Sequence, residues 1–173
     1  MEDVLDELEP YFDDLGFNPE EEEENIRELY GVFCDHFIDD SCIVEGVRVV
    51  LKEALSKHVG QPEYFKEFRH DFVHTITRKS DISKRRIFEP QRANRVHWIR
   101  PILENCNDAR IKTYQYTEGN GKVRDYFWYE EKDFVVVLEK VLPDYWLITA
   151  YIVDDKRKHQ KRLRAFREAN RGK

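Results

Sequence analysis

The chain is poor in cysteine, has no long apolar run, and almost lacks basic residues over its first third. Cys34, Cys42 and Cys106 are its three cysteines, an odd number with no C-x-x-C pair. That pattern argues against a cysteine-built zinc site and points to reduced thiols in a cytoplasmic protein. No run of about 18 apolar residues occurs, so no membrane span is expected. The amino terminus is acidic from Glu2 onward, without the basic start and apolar stretch of a secretory leader. No glycine-rich phosphate loop, G-x-S-x-G elbow or dinucleotide fingerprint exists. His70 and His74 lie four apart in HDFVH, but the glutamate of a zinc-protease motif is missing and no third ligand is evident. No metal and no other cofactor is expected.

What is present is a strong division of charge. Of 173 residues, the first 55 hold 18 Asp/Glu against 3 Lys/Arg, a net of −15, while residues 56–173 carry a net of +9. Such asymmetry suggests a nucleic-acid partner for the basic part and an acidic cover for it, or simply solvated acidic helices beside an ordinary basic domain. With 40% hydrophobic and 13% aromatic residues, the chain can still bury a core.

Periodicity divides the chain into a helical first part and an alternating second part. Val4, Leu5, Leu8, Tyr11, Phe12 and Leu15 recur at helical spacing, interrupted by Pro10, before a break at Gly16-Phe17-Asn18-Pro19. Carboxylates from Glu20 to Glu24 suit a helix start, and Ile26, Leu29, Tyr30, Phe33 and Phe37 form an apolar stripe. Val44, Val47, Leu51 and Leu55 suggest another helix over 43–58, closed by Gly60. A helix from Pro62 to Ile76, a basic loop over 77–86, and a helix from Glu89 to Asn105 kinked at Pro101 follow. From residue 110 the period becomes two: strands over 110–117, 123–130, 133–139 and 145–153, then a basic helix from Asp154. The expected class is α+β, an acidic helical segment (1–60) and a second domain (61–173) with helices packed on a four-stranded antiparallel sheet.

Strand faces then suggest chemistry. Arg110, Lys112, Tyr114 and Tyr116 share one face of the first of these strands; Arg124, Tyr126, Trp128 and Glu130 share one face of the second. In the last strand Trp146, Ile148, Ala150 and Ile152 are read as the core face, leaving Tyr145, Leu147, Thr149, Tyr151 and Val153 opposite. If the faces coincide, the sheet offers cations and aromatics of the kind that hold phosphates and stack bases; otherwise the aromatics form a second layer against a helix. In the helix before the sheet, His97 lies near Arg95 and Arg100. A histidine can take the proton of a ribose 2′-hydroxyl and arginines can hold a phosphate; a histidine capping the core is the plain alternative. Residues 156–173 contain nine Lys/Arg and one glutamate, with Leu163 and Phe166 as a narrow apolar edge, which suits a helix contacting phosphates.

The blocks RRIFEPQRANRVHWIRPIL, KTYQY, RDYFWYEEKDFVVVLEK and YWLITAYIVDDKRKHQKRLR, within residues 84–164, resemble the phage-associated barnase–EndoU–colicin–RelE-like nuclease domain. The resemblance implies helices followed by a four-stranded antiparallel sheet, and a metal-independent endoribonuclease of toxin type that leaves a 2′,3′-cyclic phosphate. It implies His97 as general base, Arg100 and Arg124 as phosphate ligands, Thr149 as an orienting group, and Tyr126 or Tyr151 as a stacking or proton-donating group. Arg95, Lys112, Trp128, Lys156 and Arg157 complete the expected RNA contacts, with tRNA among the candidate substrates. The acidic helices would serve as a cover, or as the docking part for an antitoxin or a phage or defence protein. The rival expectation is a non-catalytic RNA- or protein-binding adaptor.

Overall fold

The computed structural model describes residues 3–13, 18–57 and 61–172; the expected positions Leu15, Gly16, Phe17 and Gly60 lie outside them. Its centre is a six-stranded mixed sheet ordered β1-β2-β8-β7-β6-β5. Strands β5 (Ile111–Thr117), β6 (Val123–Tyr129), β7 (Phe134–Val141) and β8 (Asp144–Ile152) form the expected antiparallel meander. The sheet has two strands more than expected. The segment read as a helix over 43–58 is a hairpin of β1 (Cys42–Val44) and β2 (Val47–Val50), and β2 pairs with β8 in parallel. The reason is local. Glu45 and Gly46 both have positive φ, 49° and 80°, which suits a two-residue turn between antiparallel strands. Ile43, Val44, Val47, Val49 and Val50 are β-branched and favour the pleat.

The remaining early elements also depart from single long helices. Residues 3–13 form an irregular strap with one turn near Asp3–Glu7. Pro10 cannot continue a helix, and the strap's carbonyls are taken elsewhere: Leu5 by the Tyr129 hydroxyl, Glu9 by Trp98 Nε1 at 2.9 Å, and Leu8 by Lys132. Helix α1 (Glu22–Cys34) runs on as a π-helical turn to Asp39 and buries Ile26, Leu29 and Phe33, as its stripe predicts. The expected helix over 62–76 is a 3-10 turn (Glu63–Glu67) and α2 (His70–Ile76), separated where Ser56 N–H donates to the Phe68 carbonyl and His70 N–H to Ala54. The expected basic loop carries a small hairpin, β3 (Thr77–Lys79) and β4 (Arg86–Phe88). The helix expected over 89–105 breaks at Asn94–Arg95 rather than at Pro101, giving α3 (Pro90–Ala93), a 3-10 turn (Val96–Trp98) and α4 (Ile99–Glu104). Pro101 stands in the first turn of α4, where a missing N–H costs nothing. Asn94, 1% exposed, is held instead by the strap: its side chain bonds Phe12 N–H and carbonyl, and its own carbonyl accepts from Tyr11.

Two cores sit on the two faces of the sheet. Phe134, Val136 and Leu138 of β7 face the larger one, with Leu5, Leu29, Phe33, Phe72, Val96 and Ile102. Val135 and Val137 face the smaller one, with Tyr114, Tyr126, Trp128 and Leu163 of helix α5 (Lys156–Ala169). The larger core therefore draws on residues from both sides of residue 60. The acidic part supplies two strands and one wall of that core, and lies across the sheet from basic α5. Its carboxylates pair with Arg100 and Arg110 and its Arg27 with Glu67, none of them on α5, among the described residues.

A bulge changes the faces of β8. Leu138 pairs with Leu147 and Val137 with Thr149, so Ile148 is the extra residue. Tyr145, Leu147, Ala150 and Ile152 consequently face the larger core, while Ile148 and Tyr151 face α5. Strict alternation, which put Tyr145 and Leu147 on the side of Tyr151, fails at this point.

Phe33 is wholly buried against Phe37 and Phe72 at 5.2 and 5.3 Å between ring centroids. Phe33→Ala should destabilise the whole chain by roughly 3–5 kcal/mol, in one cooperative transition in urea. Residues 61–173 alone should show no cooperative transition, because β2 and the α1 wall are gone; independent folding of that fragment would contradict a shared core.

Candidate nucleic-acid interface

The residues expected to act together lie on opposite sides of the sheet. His97, Arg95 and Arg100 are on the side of the larger core and the strap. His97 Nε2 is 2.7 Å from the Glu9 carbonyl, its ring meets Tyr11 edge-on at 5.4 Å, and its Nδ1 is buried without a partner among the described residues. Burial lowers its pKa below the ordinary histidine value, and the adjacent Arg95 pushes the same way. Arg100 is held by Glu104, Asp40 and the carbonyls of His36 (3.0 Å) and Ser41 (3.2 Å). Arg95 bonds the Gln91 carbonyl and side chain at 2.9 Å and stacks over Trp98 at 5.2 Å. His97 ties the strap and Arg100 ties the end of the π-helical turn to this helical segment, while Arg95 braces the segment internally. Arg110, placed by alternation beside Lys112, instead turns to Asp3, Asp6 and Asp108 and holds the Asp108 carboxyl at about 2.

The other expected residues do share one face, the face under α5. Across β5 and β6, Lys112 stands opposite Trp128, Tyr114 opposite Tyr126 and Tyr116 opposite Arg124. Tyr151 and Thr149 of β8 join them, opposite Val135 and Val137. The aromatics are nonetheless a packed layer: Trp128, Tyr114 and Tyr126 are at most 5% exposed. Tyr114 and Tyr126 stack at 4.8 Å and 11°. Trp128 is therefore enclosed here rather than open for base stacking. Lys112 Nζ bonds the Ala109 carbonyl at 2.9 Å, Lys156 pairs with Asp133 at 3.2 Å, and Arg157 is exposed in the first turn of α5.

The histidine that sits among these side chains is His159 of α5, a residue that sequence reasoning passed over. It is 2% exposed. Its Nδ1 is 2.5 Å from the Tyr114 hydroxyl, and its ring centroid lies 5.7–6.2 Å from Trp128, Tyr151, Tyr126 and Tyr114. Arg162, one turn on, lies 3.5 Å over the Tyr116 ring and 5.5 Å from the Tyr126 ring. The Tyr126 hydroxyl donates to Glu118 in the β5–β6 turn. Arg92 of α3 reaches the Tyr151 ring at 5.5 Å, and burial pushes the Tyr151 phenol up to about 12. The sequence signal was available: His159, Arg162, Leu163 and Phe166 occupy one helix face at i, i+3, i+4 and i+7, and the two polar members were hidden in a run of cations.

Between α5 and the β5–β6 hairpin runs a groove of about 780 Å³, lined by Tyr116, Val123, Lys158, Lys161, Arg162 and Phe166 among others. Its basic wall, apolar floor and adjoining tyrosines suit an anion that carries a flat ring. Among the described residues no group of three or more His, Cys, Asp or Glu side chains is placed to hold a metal ion, and no helix is long and apolar enough to cross a membrane. Searches of protein-family models, curated proteins and solved structures return no match for this chain.

If His97 is a clamp, its removal costs stability. His97→Ala should lower stability by about 1 kcal/mol, the usual worth of one hydrogen bond, seen as a lower melting temperature, and leave RNA binding by the folded fraction unchanged. An unaltered melting temperature with lost binding would return His97 to the functional face.

Proposed function

We propose that the chain is an endoribonuclease of toxin type whose substrate face is the α5 side of the sheet, and that His97 and Arg100 serve the fold. The observation that carries this reading is the groove in which Lys158, Lys161 and Arg162 face Tyr116 beside the Tyr114–Tyr126–His159–Tyr151 cluster. The cations hold consecutive phosphates, and Tyr116 and Phe166 offer surface to a base. In the reaction the ribose 2′-oxygen bonds to the adjacent phosphorus and the bond from phosphorus to the 5′-oxygen breaks. The 2′-hydroxyl proton passes to a base, and the departing 5′-oxygen takes up a proton. The product is a 2′,3′-cyclic phosphate and a 5′-hydroxyl. Arg162 and Arg124 supply positive charge to the crowded phosphorus, Glu118 accepts the proton through its bond to Tyr126, and water supplies the proton to the departing 5′-oxygen.

The burial of Trp128, Tyr114 and Tyr126 under α5 favours a second reading, a non-catalytic binding module that uses only the outer cations of α5. The two separate in one assay. A 5′-labelled RNA incubated in EDTA should be cut to fragments ending in a cyclic phosphate, the same sequence in DNA should survive, and Lys161→Glu with Arg162→Glu should reduce cleavage at least tenfold. Three phosphate contacts also predict that log Kd rises with log salt at a slope of about 2 for single strands. Retarded but intact RNA would favour the binding module; no cleavage and no retardation would remove both.

A further inference from the structure

The outer groove of the face assigned above to RNA is open, but the inner aromatic layer beside it is shut. Trp128 is wholly buried beneath α5, and its indole Nε1, like Nε of Arg124, has no hydrogen-bond partner among the described residues. Donors sealed without partners are uncommon in a settled interior. The helix that seals them rests on few side chains: His159 and Leu163 are buried and Arg162 and Phe166 half-buried, one ion pair ties Lys156 to Asp133, and Arg157, Lys158, Lys161, Arg164 and Arg167 face solvent. Its central polar contact is the bond between His159 and Tyr114.

We propose that α5 is a hinged cover over the sheet, latched by neutral His159 against Tyr114, and that protonation of His159 releases the cover and opens the Tyr114–Tyr126–Trp128 face to a nucleotide chain. The identity of what enters rests on the nuclease reading; the latch itself does not.

The groups around the imidazole decide the sign. Tyr114 faces it from β5, Tyr126 and Trp128 from β6, and Tyr151 from β8; Lys158 and Arg162 flank it on α5. Glu118 is engaged by Tyr126. Only Asp154 and Asp155, both exposed at the start of α5, favour an imidazolium. His159 also lies in the first turn of α5, where the helix dipole opposes positive charge. Burial, then the two cations, push its pKa down to about 4, against about 6.5 for a histidine in water. Docking is thus fully supported above about pH 6.5 and loses support as pH falls toward about 4, because the released helix binds the proton more readily. At pH 5 the released fraction should be about 30-fold greater than at pH 8.

Amide hydrogen exchange on the full chain, corrected for the intrinsic pH dependence of exchange, tests this without any assay of cleavage. Protection of α5 should fall about 30-fold between pH 8 and pH 5, while β7 amides at Val135–Val137 stay protected. His159→Gln should make α5 protection independent of pH. Should that variant fail to fold, Tyr114→Phe serves: with the latch bond gone it should loosen α5 at pH 8 and narrow the difference in protection between pH 8 and pH 5. A flat profile in the native chain, pH dependence that survives His159→Gln, or β7 loosening in step with α5 would overturn the latch. Adding a short RNA at pH 5 should slow exchange in β5 and β6; a working latch with no such protection would overturn the nucleotide as its occupant.

Discussion

Every other feature of the molecule hangs on β7 being buried on both faces. Phe134, Val136 and Leu138 are excluded from water on one side and Val135 and Val137 on the other, all within 2% exposure. A strand of that kind needs two covers. One is supplied by the strap, α1, α2 and α4; the other is α5 alone. The first cover is thick, aromatic and joined by many hydrogen bonds. The second is a single polar helix resting on two buried side chains, His159 and Leu163, and two half-buried ones, Arg162 and Phe166. This inequality decides where the structure is rigid and where it can open, since local opening follows low apolar contact.

The same inequality arranges the charge. Acidic residues of the first third sit on the thick side, where Arg100 and Arg110 are drawn into clamps with Asp40, Asp3 and Asp6. Basic residues of α5 sit on the thin side, beyond reach of those carboxylates. The molecule is therefore polarised across its sheet. An incoming polyanion is steered to the α5 side and repelled from the other. The acidic part acts as a structural wall, and its place in the sheet through the β2–β8 pairing is what gives it that role.

Much of the meander was legible from the sequence: the four strand ranges expected over 110–153 match β5 to β8 within a few residues. Three things were hidden. The hairpin at Glu45-Gly46 carries valines at spacings that also fit a helix, so periodicity alone could not separate them. The bulge at Ile148 adds one residue, and a single residue exchanges the faces of a strand. The pairing of His97 with the Glu9 carbonyl spans 88 positions, and no local pattern announces such a contact. Arg95, His97 and Arg100 looked like a phosphate site because a clamp and a site use the same residue types. His159 looked like one more polar residue in a cationic helix because its role comes from the four rings beneath it.

The most direct measurement is an amide chemical-shift map of the labelled full chain titrated with a short single-stranded RNA. The account predicts that shifts concentrate at Tyr116, Val123, Lys158, Lys161, Arg162 and Phe166, and spread to Tyr114 and Tyr126 as pH is lowered. Shifts confined to residues 95–100 and 36–41, with the α5 side silent, would contradict it.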